Sequence, residues 1–168
     1  MLVAVGWWPP DIEFDTRDLN TVKTLGQIDP QLRREFTANV KTILKPIVTD
    51  AKSRYQSTVF PSGTARNWAP GGREIFPLWQ KGAANGVGVQ TKASRRNSTT
   101  IAVVQRGAAA SVFEFAKNGS LGAAFNSKNG APGRVMWPAA TQNTEQVTAE
   151  LETYVNKVSE ELNRMLEI

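Results

Sequence analysis

At 168 residues the chain is sized for one domain with a substantial hydrophobic core, and its 40% hydrophobic and 21% charged residues match an ordinary globular composition. It contains no cysteine and no histidine. That excludes disulfides, thiolate metal sites, cysteine nucleophiles and a Ser–His triad, and it removes the commonest general base and metal ligand.

The net charge of +5 is unevenly placed. Between Ala51 and Arg106 nine basic residues stand against Glu74 alone, whereas from Thr141 to Ile168 six glutamates stand against Lys157 and Arg164. A basic middle and an acidic end suit either a polyanionic partner or head-to-tail contact between copies.

In chain order, residues 1–28 read as an N-terminal arm with short elements. Met1–Val5 is strand-like, Trp7-Trp8-Pro9-Pro10 breaks it, Ile12–Phe14 is extended again, and Leu19, Val22 and Leu25 suggest a short helix within Asp15–Gln27. The apolar start has no basic flank and stops at Pro9-Pro10, so it is not read as a signal peptide. No run approaches the ~18 apolar residues of a membrane span. The expected location is the cytoplasm or a particle assembled there.

Residues 29–57 read as one long helix. Asp29-Pro30 supplies an N-cap and a first-turn proline, and Leu32, Phe36, Val40, Ile43, Leu44, Ile47 and Ala51 form an apolar stripe. Pro46 predicts a kink over 42–45.

Residues 58–84 lack periodicity and read as an irregular loop anchored by Phe60, Trp68, Phe76 and Trp79. Gly71-Gly72-Arg73 lacks the preceding strand and the Lys–hydroxyl ending of a phosphate loop. Arg66–Lys81, basic with interleaved aromatics, also fits stacking on single-stranded nucleic acid.

Residues 85–106 read as a β-hairpin. Val87 and Val89 alternate with glycines, and Thr99–Val104 is rich in β-branched residues. Lys92, Arg95 and Arg96 lie at or near its tip.

Residues 107–137 read as a short helix over 111–116, with Glu114 near Arg106 or Arg134, followed by a glycine-rich loop that is mobile or ordered by a neighbour. Residues 138–167 read as a last helix, opening at Pro138 or at an Asn143/Gln146 capping pair and running to about Leu166. Its apolar stripe is Val147, Leu151, Tyr154, Val155, Val158, Leu162, Met165 and Leu166. The fold class is therefore α+β: an antiparallel hairpin sheet packed against a long kinked N-terminal helix and a long C-terminal helix.

Two segments carry a resemblance, Val112-Phe113-Glu114-Phe115-Ala116 and Pro132-Gly133-Arg134-Val135-Met136-Trp137-Pro138-Ala139. Set in the order strand, short Glu–Phe helix, glycine-rich segment and aromatic–Pro–Ala helix start, they resemble the head–tail connector and tail-completion proteins of long-tailed bacteriophages. Where that family often has a glycine directly after the Glu–aromatic pair, this chain has Ala116-Lys117-Asn118-Gly119.

The resemblance implies a structural virion protein, and the missing cysteine and histidine lead to the expectation of no enzyme activity, no cofactor and no bound metal. It implies a homo-oligomeric ring of six at the neck, neighbours in the head-closure and tail-tube or terminator rings, duplex DNA through the centre, and no membrane. In such a ring Lys92, Arg95 and Arg96 are channel candidates, the alternative for them being an ordinary solvated turn. Trp7, Trp8, Trp68, Trp79, Arg134 and Trp137 are candidates for docking between subunits. The alternatives are a tail-terminator or head-closure ring protein, or a stand-alone nucleic-acid-binding protein that ignores sequence. A carboxylate hydrolase drawing on Asp11, Glu13, Asp15 or Glu114 ranks last, because no two of them sit in a recognised motif.

Overall fold

The computed structural model describes residues 30–64, 77–93 and 99–166. The strand, break and short helix expected before Asp29, Asp29 itself as N-cap, the 65–76 part of the irregular loop and the hairpin tip at 94–98 lie outside the described residues. Among the described residues six helices and a two-stranded hairpin follow in order: α1 (Pro30–Ile43), α2 (Lys45–Ser57), α3 (Gln80–Gly86), β1 (Val87–Ala93), β2 (Thr99–Gln105), α4 (Ala108–Phe115), α5 (Gly119–Asn129) and α6 (Met136–Leu166). The class is α+β, predominantly helical. Among the described residues no helix is long and apolar enough to cross a membrane.

The break expected over 42–45 falls at Leu44, and it separates two helices instead of bending one. Pro46 has no N–H to return to the preceding turn. Leu44 still donates to the Val40 carbonyl at 3.0 Å, so the interruption is a single residue long.

The chain divides into two compact units. One comprises Met1–Pro46, Val89–Ala102 and Asn143–Ile168; the other comprises Ile47–Gly88 and Val103–Gln142. In the first, the buried residues of α1 (Phe36, Val40) and Leu44 accompany the buried stripe of α6, Val147, Leu151, Val158 and Leu162. The Phe36 and Tyr154 rings lie 5.4 Å apart, and Asn39 Nδ2 donates to the Tyr154 hydroxyl at 2.8 Å. The three- and four-residue spacing thus does what a period of 3.6 requires: it puts the apolar residues on one side of a 31-residue helix.

The second unit has its own core of Ala51, Tyr55, Leu78, Ala83, Ala84, Val87, Ala110, Phe113, Phe125, Val135 and Ala139. Phe113 is its centre. It meets Phe60 and Phe125 edge-on, with centroids 5.0 and 5.1 Å away. At the base of the hairpin, Gln105 Nε2 donates to the Ala83 carbonyl and Gln105 Oε1 accepts from the Gly107 N–H, both at 2.8 Å. A Cβ on Gly86 would lie 1.9 Å from that oxygen, which is why a glycine stands there.

Three expectations are corrected. The "irregular" stretch before the hairpin ends in α3, a seven-residue helix whose Ala83 and Ala84 are buried. The glycine-rich segment after Ala116 is no mobile loop, since Gly119–Asn129 is the helix α5. Phe125 is fully buried, Leu121 sits one turn before it, and the positive-φ residues Gly119 and Gly130 fall at the helix's first position and just past its end. The last helix starts at Met136, two residues before the Pro138 alternative, so the Asn143/Gln146 alternative is the one corrected: both residues are interior, and Gln146 Nε2 donates to Glu150 Oε1 at 2.8 Å.

Candidate functional site: a buried carboxylate clasp

Helix α4 is an apolar octapeptide, Ala-Ala-Ala-Ser-Val-Phe-Glu-Phe, with one charged residue. That residue, Glu114, is 2% exposed. Burying a carboxylate is costly unless donors meet it, and here they do. The Tyr55 hydroxyl donates to Oε1 at 2.7 Å. The Val135 N–H lies 3.1 and 3.2 Å from the two oxygens, and the Met136 N–H is 3.3 Å from Oε1.

Val135 and Met136 open α6, so Glu114 caps another helix from a distance of 21 residues in sequence. A negative charge at a helix N-terminus also meets the positive end of its dipole. Pro138, in the same first turn, has no N–H that needs a partner.

Arg134 does the converse. Its guanidinium donates to the carbonyls of Phe113, Glu114 (3.4 Å) and Ala116 (2.9 Å) at the C-terminal end of α4, and to Gly130 O (3.0 Å) and the Asn126 side chain. Gly133 N–H adds a bond to Glu114 O at 2.8 Å. The guanidinium carbon also stands 5.3 Å from the Phe113 ring centroid and 5.5 Å from that of Phe125.

An acid from α4 caps α6, and a base just before α6 caps α4. Each charge sits at the helix end whose dipole favours it. The electrostatics follow from this enclosure. Burial first, then the charge and hydrogen bond of Glu114, push the Tyr55 phenol far above its ordinary value, while Gln105 pulls weakly the other way. Burial pulls the Arg134 guanidinium down and the Glu114 charge opposes that. Among the described residues no buried side-chain polar atom lacks a partner.

The docking candidates scatter. Arg134 and Trp137 both belong to the clasp region. Arg134 is occupied by acceptors of its own chain, whereas Trp137 is 43% exposed. Trp79 is 49% exposed and lies over Gly82, where an added Cβ would meet its indole nitrogen at 2.6 Å. Lys92 falls in β1. Trp7, Trp8, Trp68, Arg95 and Arg96 lie outside the described residues.

Glu114 was expected beside Arg106 or Arg134, and Arg134 lies beside it. Phe115, next to Glu114 on the same helix, is 54% exposed. Tyr55 was not foreseen. The signal for it was a phenol at the end of the apolar series Ile47, Ala51, Tyr55, whose hydroxyl needs a buried acceptor somewhere. Compared with protein-family models, with curated proteins and with solved structures, the chain matches none.

Proposed function

We propose that this chain is a structural virion protein of a tailed bacteriophage, forming a ring of six at the head–tail neck that joins the tail to the DNA-filled head. The observation that carries the reading is the clasp. The two segments that resemble neck proteins, Val112–Ala116 and Pro132–Ala139, meet there, and Glu114 of the first caps the helix that the second opens. Residues that serve as mutual caps have a physical reason to occur together, and their work is to hold a shape.

In this reading the hairpin packs against the N-terminal helices α1 and α2 and the long C-terminal helix α6. Its tip residues Lys92, Arg95 and Arg96 face the channel. A ring of such tips would set a positive band against a duplex bearing one negative charge per ~1.7 Å of axis, through phosphate contacts that ignore sequence. The neighbours along the axis are the head-closure ring and the tail-tube or terminator ring.

The test is particle composition. Mass spectrometry and gold-labelled antibody on purified particles should place the chain at the neck, and removing its gene should leave filled heads and separate tails. Particles that lack the protein yet carry joined tails refute the proposal. Within it, Arg95→Glu with Arg96→Glu should leave the isolated chain folded and reduce DNA retention or delivery; parental delivery by those particles would make the tip an ordinary turn.

A further inference from the structure

Phe115 follows the carboxylate of the clasp in sequence, and Trp137 follows the second N–H that the carboxylate binds; both are large, apolar and exposed. The clasp pins the backbone on both sides of Phe115 and immediately before Trp137. Nearby in the same unit, Asn126 Nδ2 donates to the Lys117 carbonyl at 3.2 Å, and Asn126 Oδ1 accepts from Arg134. Lys117 and Lys128 thus belong to the segment that Arg134 ties down, and both are exposed. The two described acids of this unit are already engaged, Glu114 in the clasp and Asp50 with Arg54 at 3.0 Å. The exposed charge of this unit, among the described residues, is accordingly positive: Lys81, Arg106, Lys117 and Lys128. Two exposed aromatics on the segments that the clasp joins, with exposed lysines on the segment that Arg134 ties down, suit a partner that is apolar in part and acidic.

The chain carries such a partner itself. On α6 the buried stripe is Val147, Leu151, Val158 and Leu162. Opposite it, at helical spacing, run Glu145, Ala149, Glu152, Asn156, Glu160 and Asn163, all exposed. This outer stripe holds three acids and no base, and extends ~27 Å at 1.5 Å per residue. The cations of the helix, Lys157 and Arg164, lie off it.

Building on the ring reading, we infer that the Phe115/Trp137 face of one copy docks the acidic outer stripe of α6 of a second copy. The charges complement, and the two surfaces are different patches of the same chain. Such contacts are heterologous, so they propagate head to tail and close into a ring or continue as a filament. A nucleic acid is the rival occupant. The guanidinium between the two segments, Arg134, is committed to carbonyls of its own chain.

The experiment uses the full chain in sedimentation velocity and light scattering over a range of concentration and salt. One variant reverses the face (Lys117→Glu with Lys128→Glu) and another reverses the stripe (Glu145→Lys, Glu152→Lys and Glu160→Lys). All five positions are exposed, and far-UV circular dichroism checks that both variants fold. The parent should self-associate, and less strongly as salt rises. Each variant alone should associate at least ~10-fold more weakly, and an equimolar mixture should recover association, because the reversed face then meets the reversed stripe and the parental face the parental stripe.

A monomeric parent, or variants that associate like the parent, overturns the inference. So does a face-reversed variant that loses binding to a duplex or single-stranded oligonucleotide while self-association is unchanged. The neck reading fails separately. A chain present at the neck whose association ignores charge reversal sinks only this interface, whereas a chain absent from particles whose pairing follows the reversal sinks only the neck.

Discussion

Replacing Glu114 by alanine is the sharpest test of the clasp. The substitution leaves the Tyr55 hydroxyl and the Val135 N–H without their acceptor at sites that are 0% and 3% exposed, and the Met136 N–H at a half-buried one. Each buried donor left unsatisfied costs about 1–3 kcal/mol. Met136 recovers part of its loss from water, so the two fully buried groups dominate and the expected cost is ~3–5 kcal/mol. That is a large share of a total stability of about 5–15 kcal/mol. For a chain of this length it lowers Tm by roughly 10 °C or more.

Glu114→Gln separates the hydrogen bonds from the charge. The amide oxygen still accepts from Tyr55 and Met136, so the loss is chiefly the charge–dipole contribution, about 1–2 kcal/mol. Urea unfolding followed by far-UV circular dichroism, with the midpoint compared at constant slope, measures both. The reasoning is wrong if the alanine variant comes within ~1 kcal/mol of the parent, or if glutamine proves as damaging as alanine.

Three further outcomes follow from the same geometry. Tyr55 is held protonated by burial and by Glu114, so its raised value in the fold contributes stability that is complete below pH ~10 and declines as pH rises through the folded value. Stability should therefore fall by up to ~1.4 kcal/mol per pH unit above pH ~10 from this group, and Tyr55→Phe should remove that slope while leaving the native-state absorbance titration of tyrosine unchanged; equal alkaline slopes in parent and variant would count against it. Gly122→Ala gains ~1 kcal/mol of helix propensity but puts a Cβ 2.6 Å from the Lys117 carbonyl carbon, an atom of backbone, so a net loss of ~1–2 kcal/mol is expected in thermal melts, with Gly88→Ala, where nothing lies within 4 Å, as the tolerated control. Phe125→Ala should cost about 3–5 kcal/mol by emptying the space beside Phe113, and a cost below ~1 kcal/mol would mean that α5 is no part of the core.

Several elements were legible because their information is local. The apolar spacing along α6, the β-branched run of β2 and the interruption caused by Pro46 each depend on residues within a turn or two of one another. A period, a propensity or a missing N–H can be read from neighbours alone, and so can the acidic face of the last helix.

The clasp and α5 are of another kind. Gly119, Gly122 and Gly130 read as breakers because propensity weighs each residue by itself, yet Phe125 gains enough from burial against Phe113 to hold the segment helical. Pro138 marks the start of α6 to within two residues, but a cap sought among adjacent residues points to Asn143 and Gln146. The actual cap comes from Glu114, 21 positions before the N–H it binds, and the phenol completing that carboxylate's partners comes from 59 positions earlier. No local pattern encodes such a partnership. It exists only once α2, α4 and the head of α6 enclose the same few cubic ångströms, where a buried acceptor must find donors and the nearest are backbone groups that the sequence does not distinguish from any others.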